Sequence, residues 1–279
     1  MNYKILSKQE AFNEITKKDD FIQAVNIFEM MMKMSSHSEV TMHQYIKHLG
    51  TTVQEWEVYE KNKLEFILDL CNAAIEKKMS NIHLKINLAK TDGRDEYNSA
   101  YTRGNTIYLP PNKIKYETNR LVRLILHEIF HIITRTNRML KKSIYSLIGY
   151  ELINPIELSK KLDILYLVNP DCPFIDSFRV VRRNGVKCNV SPIITLNKNL
   201  SEIDTSVDIF KSIELKYIEI IEEAGVYSSG SILYDITELN VEENEKAFLL
   251  NQPEEILAEE FVSFILGEVT KIDFDKVFK

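Results

Sequence analysis

The chain has 279 residues, 44% of them hydrophobic and 27% charged, with a net charge of −6 at pH 7. That length suits one large domain or two intimate lobes with an ample core. The acidic balance argues against a general nucleic-acid binder, which needs a basic face for phosphate. Short basic patches (Arg182, Arg183 and Lys187; Arg138, Lys141 and Lys142) read as solvated surface. The three cysteines, Cys71, Cys172 and Cys188, show no CxxC spacing, which suggests neither a disulfide framework nor a thiolate zinc site. The N-terminus lacks an uninterrupted apolar signal-peptide core, and no run of ~18 apolar residues suggests a membrane span. The expected address is the cytoplasm of the producing cell, with signal-less export as an effector left open.

In chain order, residues 1–80 read as a helical N-terminal region. DDFIQAVNIFEMMMKM and the stretch from Thr52 to Met79 both repeat apolar residues at helical spacing. Met30, Met31, Met32 and Met34 suit core filling, and His37, His43, His48 and His83 suit surface or cap positions. NIHLKINLAK then alternates, with Ile82, Leu84, Ile86 and Leu88 on one side, which predicts a strand. AYTRGNTIYLPP predicts a second extended segment, with Gly104 at a turn or bulge. A helix is predicted over about 118–134, with Thr118 or Asn119 as N-cap and Asn137 as its stop.

Beyond it, LKKSIYSLIGYELI reads as helical and NPIELSKKLDILYLVNPDCPF as loop-rich. FRVVRRNGVKCNV carries Asn-Gly between two β-rich runs, a hairpin signal. Residues 206–224 return to helical spacing. A last helix is predicted over about 253–266, with Pro253 in its first turn and Gly267 at its end. The expected class is α+β, with a strand region between a helical N-terminal part and a mostly helical C-terminal part.

The predicted helix at 118–134 is almost wholly apolar, yet its middle reads HEIFH, with His127, Glu128 and His131. From this composition, a chance HExxH is expected on the order of once in a hundred such chains. On a helix, residues i and i+4 share a face, so both imidazoles can reach one ion. Zinc accepts imidazole nitrogens and, with three protein ligands, keeps a fourth position for water. Glu128 would stand beside that position as a general base. The alternative is a core helix with two hydrogen-bonded histidines, but it leaves a buried carboxylate to explain.

His131 is the last histidine, so a downstream third ligand must be a carboxylate. Glu254, Glu255, Glu259 and Glu260 in the terminal apolar helix are the best source. Glu255 and Glu259 are one turn apart, so one can bind metal while the other hydrogen-bonds a ligand imidazole. Glu254 and Glu255 also suit a helix N-terminus on electrostatic grounds alone, Glu254 especially.

HEIFH followed by ExxxE (Glu255 to Glu259) resembles the gluzincin type of zinc metallopeptidase. More narrowly, AYTRGNTIYLP, HEIFHIITR, LVNPDCP and PEEILAEEF, in that order, resemble a family of uncharacterised bacterial zincin-like peptidases, over about residues 60–265. The resemblance implies one zinc ion per chain held by His127, His131 and Glu255, with Glu128 as base and Glu259 hydrogen-bonding a ligand imidazole. It implies a zincin-like domain over 81–279, with a small mixed sheet whose edge strand lies beside the HExxH helix. The strand ending at Leu109 would be that edge, to which an extended peptide substrate adds.

One departure stands out. Several gluzincins place a tyrosine shortly before the ligand glutamate to stabilise the oxyanion, and here Phe248 lies in that neighbourhood. Tyr227 and Tyr234 are the candidate substitutes, and Arg135 and Asp171 are further candidates that read as structural rather than catalytic. The leading expectation is a zinc metalloendopeptidase acting on protein or peptide. The alternatives are an inactive, metal-containing binding module and a translocated effector protease.

Overall fold

Asn2–Ile5 (β1) opens the chain as a strand, inside the region whose pattern predicts helix to residue 80. Four residues are too few to carry a period, and β1 is specified by its partner instead. In the computed structural model, which describes residues 1–79, 83–158, 162, 166–196, 212–239, 241 and 246–278, β1 runs parallel to Lys85–Lys90 (β2). Between them lie five helices: Lys8–Ile15 (α1), Asp20–Ala24 (α2), Ile27–Lys33 (α3), Met42–Thr52 (α4) and Val58–Lys78 (α5). Capping boxes start α1 (Ser7 with Glu10) and α4 (Thr41 with Gln44), each satisfying backbone donors that a helix leaves open.

The alternation that predicts β2 holds, with Ile86 and Leu88 buried; Ile82 lies outside the described residues. The second extended segment is a hairpin, Tyr101–Arg103 (β3) and Thr106–Leu109 (β4), turning at Gly104, whose φ of 57° favours glycine. The mixed sheet has the order β1-β2-β4-β3, so the strand ending at Leu109 is internal. β3 is the edge. Its centre is already occupied: the Thr102 N–H donates to Asp171 Oδ1 at 2.7 Å, and the Thr102 carbonyl accepts from Arg135 at 3.4 Å. An extended peptide therefore meets no open ladder at that residue.

A short helix, Pro111–Ile114 (α6), leads into Thr118–Thr136 (α7), the HEIFH helix. Its N-cap is Glu117 rather than Thr118 or Asn119. Asn137 ends it, and the Asn137 side chain caps Arg138–Ser146 (α8) by accepting from the Leu140 N–H. The helix predicted to continue through Ile153 stops there. Gly149 at φ 74° turns the chain into Tyr150–Ile156 (β5).

The C-terminal part is mostly strand before its last helices, contrary to the expectation. Tyr166–Leu167 (β6), Ile175–Arg183 (β7), Val186–Leu196 (β8), Ile213–Glu223 (β9) and Val226–Tyr234 (β10) form, with β5, a six-stranded antiparallel sheet. Its order is β10-β9-β8-β7-β5, with β6 paired to the far end of β8. The predicted Asn184-Gly185 hairpin is present, both residues at positive φ. Within 206–224, Ile213–Glu223 is strand, not helix; 206–211 lie outside the described residues. β9 misleads because it is buried on both faces: Leu215 and Tyr217 pack into one core, Ile218 and Ile220 into another. Strict alternation is lost when both faces are apolar. Pro253–Leu266 (α9) starts at Pro253 and ends at Gly267 (φ 74°) as predicted, and Asp275–Phe278 (α10) closes the described chain.

Two apolar cores result. The first gathers α5, α7, α9 and the mixed sheet around Leu64, Ile107, Ile125, Ile129, Leu257 and Phe261. The second sets α1–α4 against the other face of the six-stranded sheet and against Tyr101 and Tyr108. A division at residue 80 thus separates neither core. The class is α+β. No helix of the described residues is long and apolar enough to cross a membrane.

Candidate metal centre

α7 is buried on most sides, with Leu121, Ile125, Leu126, Ile129 and Phe130 inaccessible to solvent. That packing fixes the helix that carries His127, Glu128 and His131. The two imidazoles stand one turn apart, ring centroids 4.7 Å from each other and nearly perpendicular. α9 lies against α7 and brings three glutamates to them.

Glu255 sits between the two Nε2 atoms. Its Oε2 is 3.2 Å from His127 Nε2, and its Oε1 is 3.9 Å from His131 Nε2. Ligand atoms ~2.0–2.1 Å from a tetrahedral ion stand ~3.4 Å apart, so these spacings suit one shared ion. The far nitrogens are held as well. His127 Nδ1 is 3.2 Å from Glu259 Oε1, and His131 Nδ1 is 3.2 Å from Glu254 Oε1. A carboxylate on Nδ1 orients an imidazole so that Nε2 faces the ion, the arrangement found around zinc-binding histidines.

Glu254 therefore does more than suit a helix N-terminus. It is 1% exposed and accepts hydrogen bonds from Thr134 Oγ1 and, at 2.5 Å, from Tyr145 Oη. Asn169, a further residue of the cluster, donates to Glu255 Oε1 at 2.7 Å. Its only signal lay in the LVNPD stretch of the resemblance. Tyr145 and Thr134 gave none, since a buried tyrosine and threonine in helices read as packing.

Two buried polar atoms here have no hydrogen-bond partner, His131 Nε2 and Glu128 Oε2. In the neutral ring, with Nδ1–H donating to Glu254, Nε2 of His131 would present a lone pair toward the Glu255 carboxylate. Two acceptors facing each other are unfavourable without a cation between them. His127 faces a carboxylate on each nitrogen. Burial opposes charge on both rings, yet the carboxylates outweigh it: Glu255 and Glu259 raise His127 to about 11, and Asp171, Glu255 and Glu254 raise His131 to about 9. Burial likewise disfavours the Glu255 anion, but the imidazoles hold that carboxyl at about 2. The cluster demands positive charge, and the residues present fit a divalent cation.

Glu128 lies on the same helix, 2% exposed. Burial and then the Asp171 carboxylate push its carboxyl up to about 8. Ligand atoms of Glu128, His131 and Asp171 lie within 4.8 Å of one another, as do those of His127, His131 and Glu255. Asp171 is fixed by the Thr102 N–H and, at 2.6 Å, its hydroxyl. Arg135 ties β3 to the 169–171 loop through the carbonyls of Gly104, Pro170 and Asp171, a structural clamp.

Tyr227 and Tyr234 are not brought to the cluster. Both are on β10, where Tyr227 packs on Phe178 and Tyr234 lies under Arg183 with its hydroxyl toward Glu219. Phe248 faces Arg179, and its carbonyl accepts from Tyr150. Comparison with known proteins adds no name: no family model, curated protein or solved structure matches this chain.

Proposed function

We propose that the protein is a zinc metalloendopeptidase of gluzincin type. The observation that carries this reading is the pair of Nε2 atoms facing the Glu255 carboxylate, each ring held from behind by a second carboxylate. His127, His131 and Glu255 would hold the ion, which would supply Lewis acidity and a lowered pKa for water at neutral pH. Glu128 accepts the proton of the attacking water and returns it to the amide nitrogen as the peptide bond breaks. Glu254, Glu259 and Asn169 orient the ligands, and the apolar surround of α7 keeps that geometry rigid. The experiment is a comparison of new N-termini in a proteome treated with zinc-loaded wild type or with Glu128→Gln. Cleavages confined to the wild type support the reading.

A second reading is a metal-holding binding module without catalysis. It is favoured by the position of Phe248 against Arg179 and by the placement of Tyr227 and Tyr234 on β10, which brings neither candidate tyrosine to the cluster as oxyanion donor. Stoichiometric zinc with no cleavage above the Glu128→Gln control would select it.

A further inference from the structure

A cleft of about 290 Å³ opens beside Glu255 and runs away from the metal centre. Its apolar wall comes from four strands and their flanks, through Ala100, Tyr101, Leu167, Ile194 and Ile213. Among the described residues, every charged group on its lining is acidic: Glu29, Glu96, Asp171 and Glu255. Glu255 belongs to the metal centre, and Asp171 is held by Thr102. The remaining two form the acidic end.

There the charges do not balance. Lys33 Nζ is 2.9 Å from Glu29 Oε1 and 2.5 Å from Glu96 Oε2, so two carboxylates share one ammonium. Lys33 is sealed beneath them, its side chain 1% exposed, whereas Glu96 is open to 14%. Glu29 is further satisfied by the Val168 N–H at 3.1 Å. Burial and the neighbouring Glu29 push the Glu96 carboxyl up to about 7 despite Lys33, and buried Asp95 adds to the negative field. One more cation at Glu96 would neutralise the group. A cleft with apolar walls and one carboxylate more than its single ammonium can neutralise complements a long side chain that is apolar along its stem and charged at its head.

We propose that this cleft is the specificity pocket of the site, receiving a lysine or arginine side chain of the peptide substrate with its head on Glu96. The proposal rests on the peptidase reading for the word substrate, but the pocket can be tested without catalysis. NMR-detected titration of the zinc-loaded full chain compares N-acetyl-arginine methylamide with N-acetyl-norleucine methylamide, which has an uncharged side chain. The arginine compound should bind at least tenfold more tightly, and Glu96→Gln should abolish that preference. Ala100→Phe, which fills the cleft, should remove binding of both while zinc content is kept; it serves also if Glu96→Gln does not fold. Equal affinities, a preference for norleucine, no binding by either, or a preference that survives Glu96→Gln overturns the pocket. In the proteome comparison, basic residues should be enriched at one fixed position from the cut. Cuts without that enrichment reject the pocket and leave the peptidase; no cuts reject the peptidase, while the titration still decides the pocket.

Discussion

Glu254 and Glu255, consecutive on α9, meet opposite edges of the same imidazole: Glu254 Oε1 is 3.2 Å from His131 Nδ1, and Glu255 Oε1 is 3.9 Å from His131 Nε2. One carboxylate orients the ring and its neighbour shares the proposed ion with it. At the helix start, backbone geometry lets adjacent side chains diverge around a ring that approaches between them. The division of labour has consequences that mutation separates.

Glu254→Gln keeps the shape and removes the charge behind His131. Zinc affinity should fall by ~10–100-fold, the usual effect of losing the group that orients a ligand histidine. Glu259→Gln should cost less, because the Glu259 side chain is 72% exposed and water can replace it. Competition with a chromogenic chelator measures both. Equal losses in the two variants would contradict the ranking.

Tyr145→Phe removes a hydroxyl that donates to a carboxylate only 1% exposed. Leaving such an acceptor short of a donor should destabilise the fold by ~1–3 kcal/mol. Urea unfolding of the zinc-free protein reads this directly. An unchanged midpoint would show that Thr134 and His131 satisfy Glu254 without it.

Proton linkage follows from the raised imidazoles. Without metal, His127 and His131 bind protons more tightly when folded, so their contribution is complete below the unfolded value of about 6.5. It is lost as pH rises through about 9 for His131 and about 11 for His127. The Glu255 contribution runs the other way, present above the ordinary carboxylate range and lost as pH falls toward about 2. The metal-free protein should therefore melt at a lower temperature at pH 10 than at pH 7. Zinc binding near pH 7.5 should release roughly two protons, since ligand imidazoles must be neutral. Calorimetry in two buffers of different ionisation enthalpy counts them, and zero release would contradict the assignment of ligands.

Deleting residues 1–53 should abolish soluble folding, although those residues carry none of the proposed ligands. β1 pairs with β2, and α1–α4 cover the second core. Arg103, 4% exposed, donates to Asp19 and to the carbonyls of Ile15 and Lys17. Truncation leaves that guanidinium buried without partners or opens the core to water. A soluble, cooperatively melting truncation would show that the N-terminal region is dispensable.

The candidate centre was largely legible because its spacing is helical. His127 and His131 at i and i+4, and Glu255 and Glu259 likewise, need only a helix to converge, and both helices carry strong apolar patterns. Glu254 was less legible because its electrostatic fit to a helix N-terminus offered a sufficient explanation. Asn169 was illegible because its role depends on where a loop lands. The six-stranded sheet was missed for a different reason. β9 is apolar on both faces, and its hairpin turns at Ala224-Gly225, both at positive φ, without the Asn-Gly pair that marked the β7–β8 turn. The edge strand beside the HEIFH helix is β3 and not the strand ending at Leu109, because pairing order is something no single strand's pattern carries.

The most direct measurement of the central claim is the mass of the intact full chain under native conditions, with zinc supplied, for wild type and for Glu255→Ala. One zinc per wild-type chain is expected, removable by chelator with a fall in melting temperature, with little retained by the variant. A wild-type chain that carries no zinc and melts identically with and without chelator would contradict it.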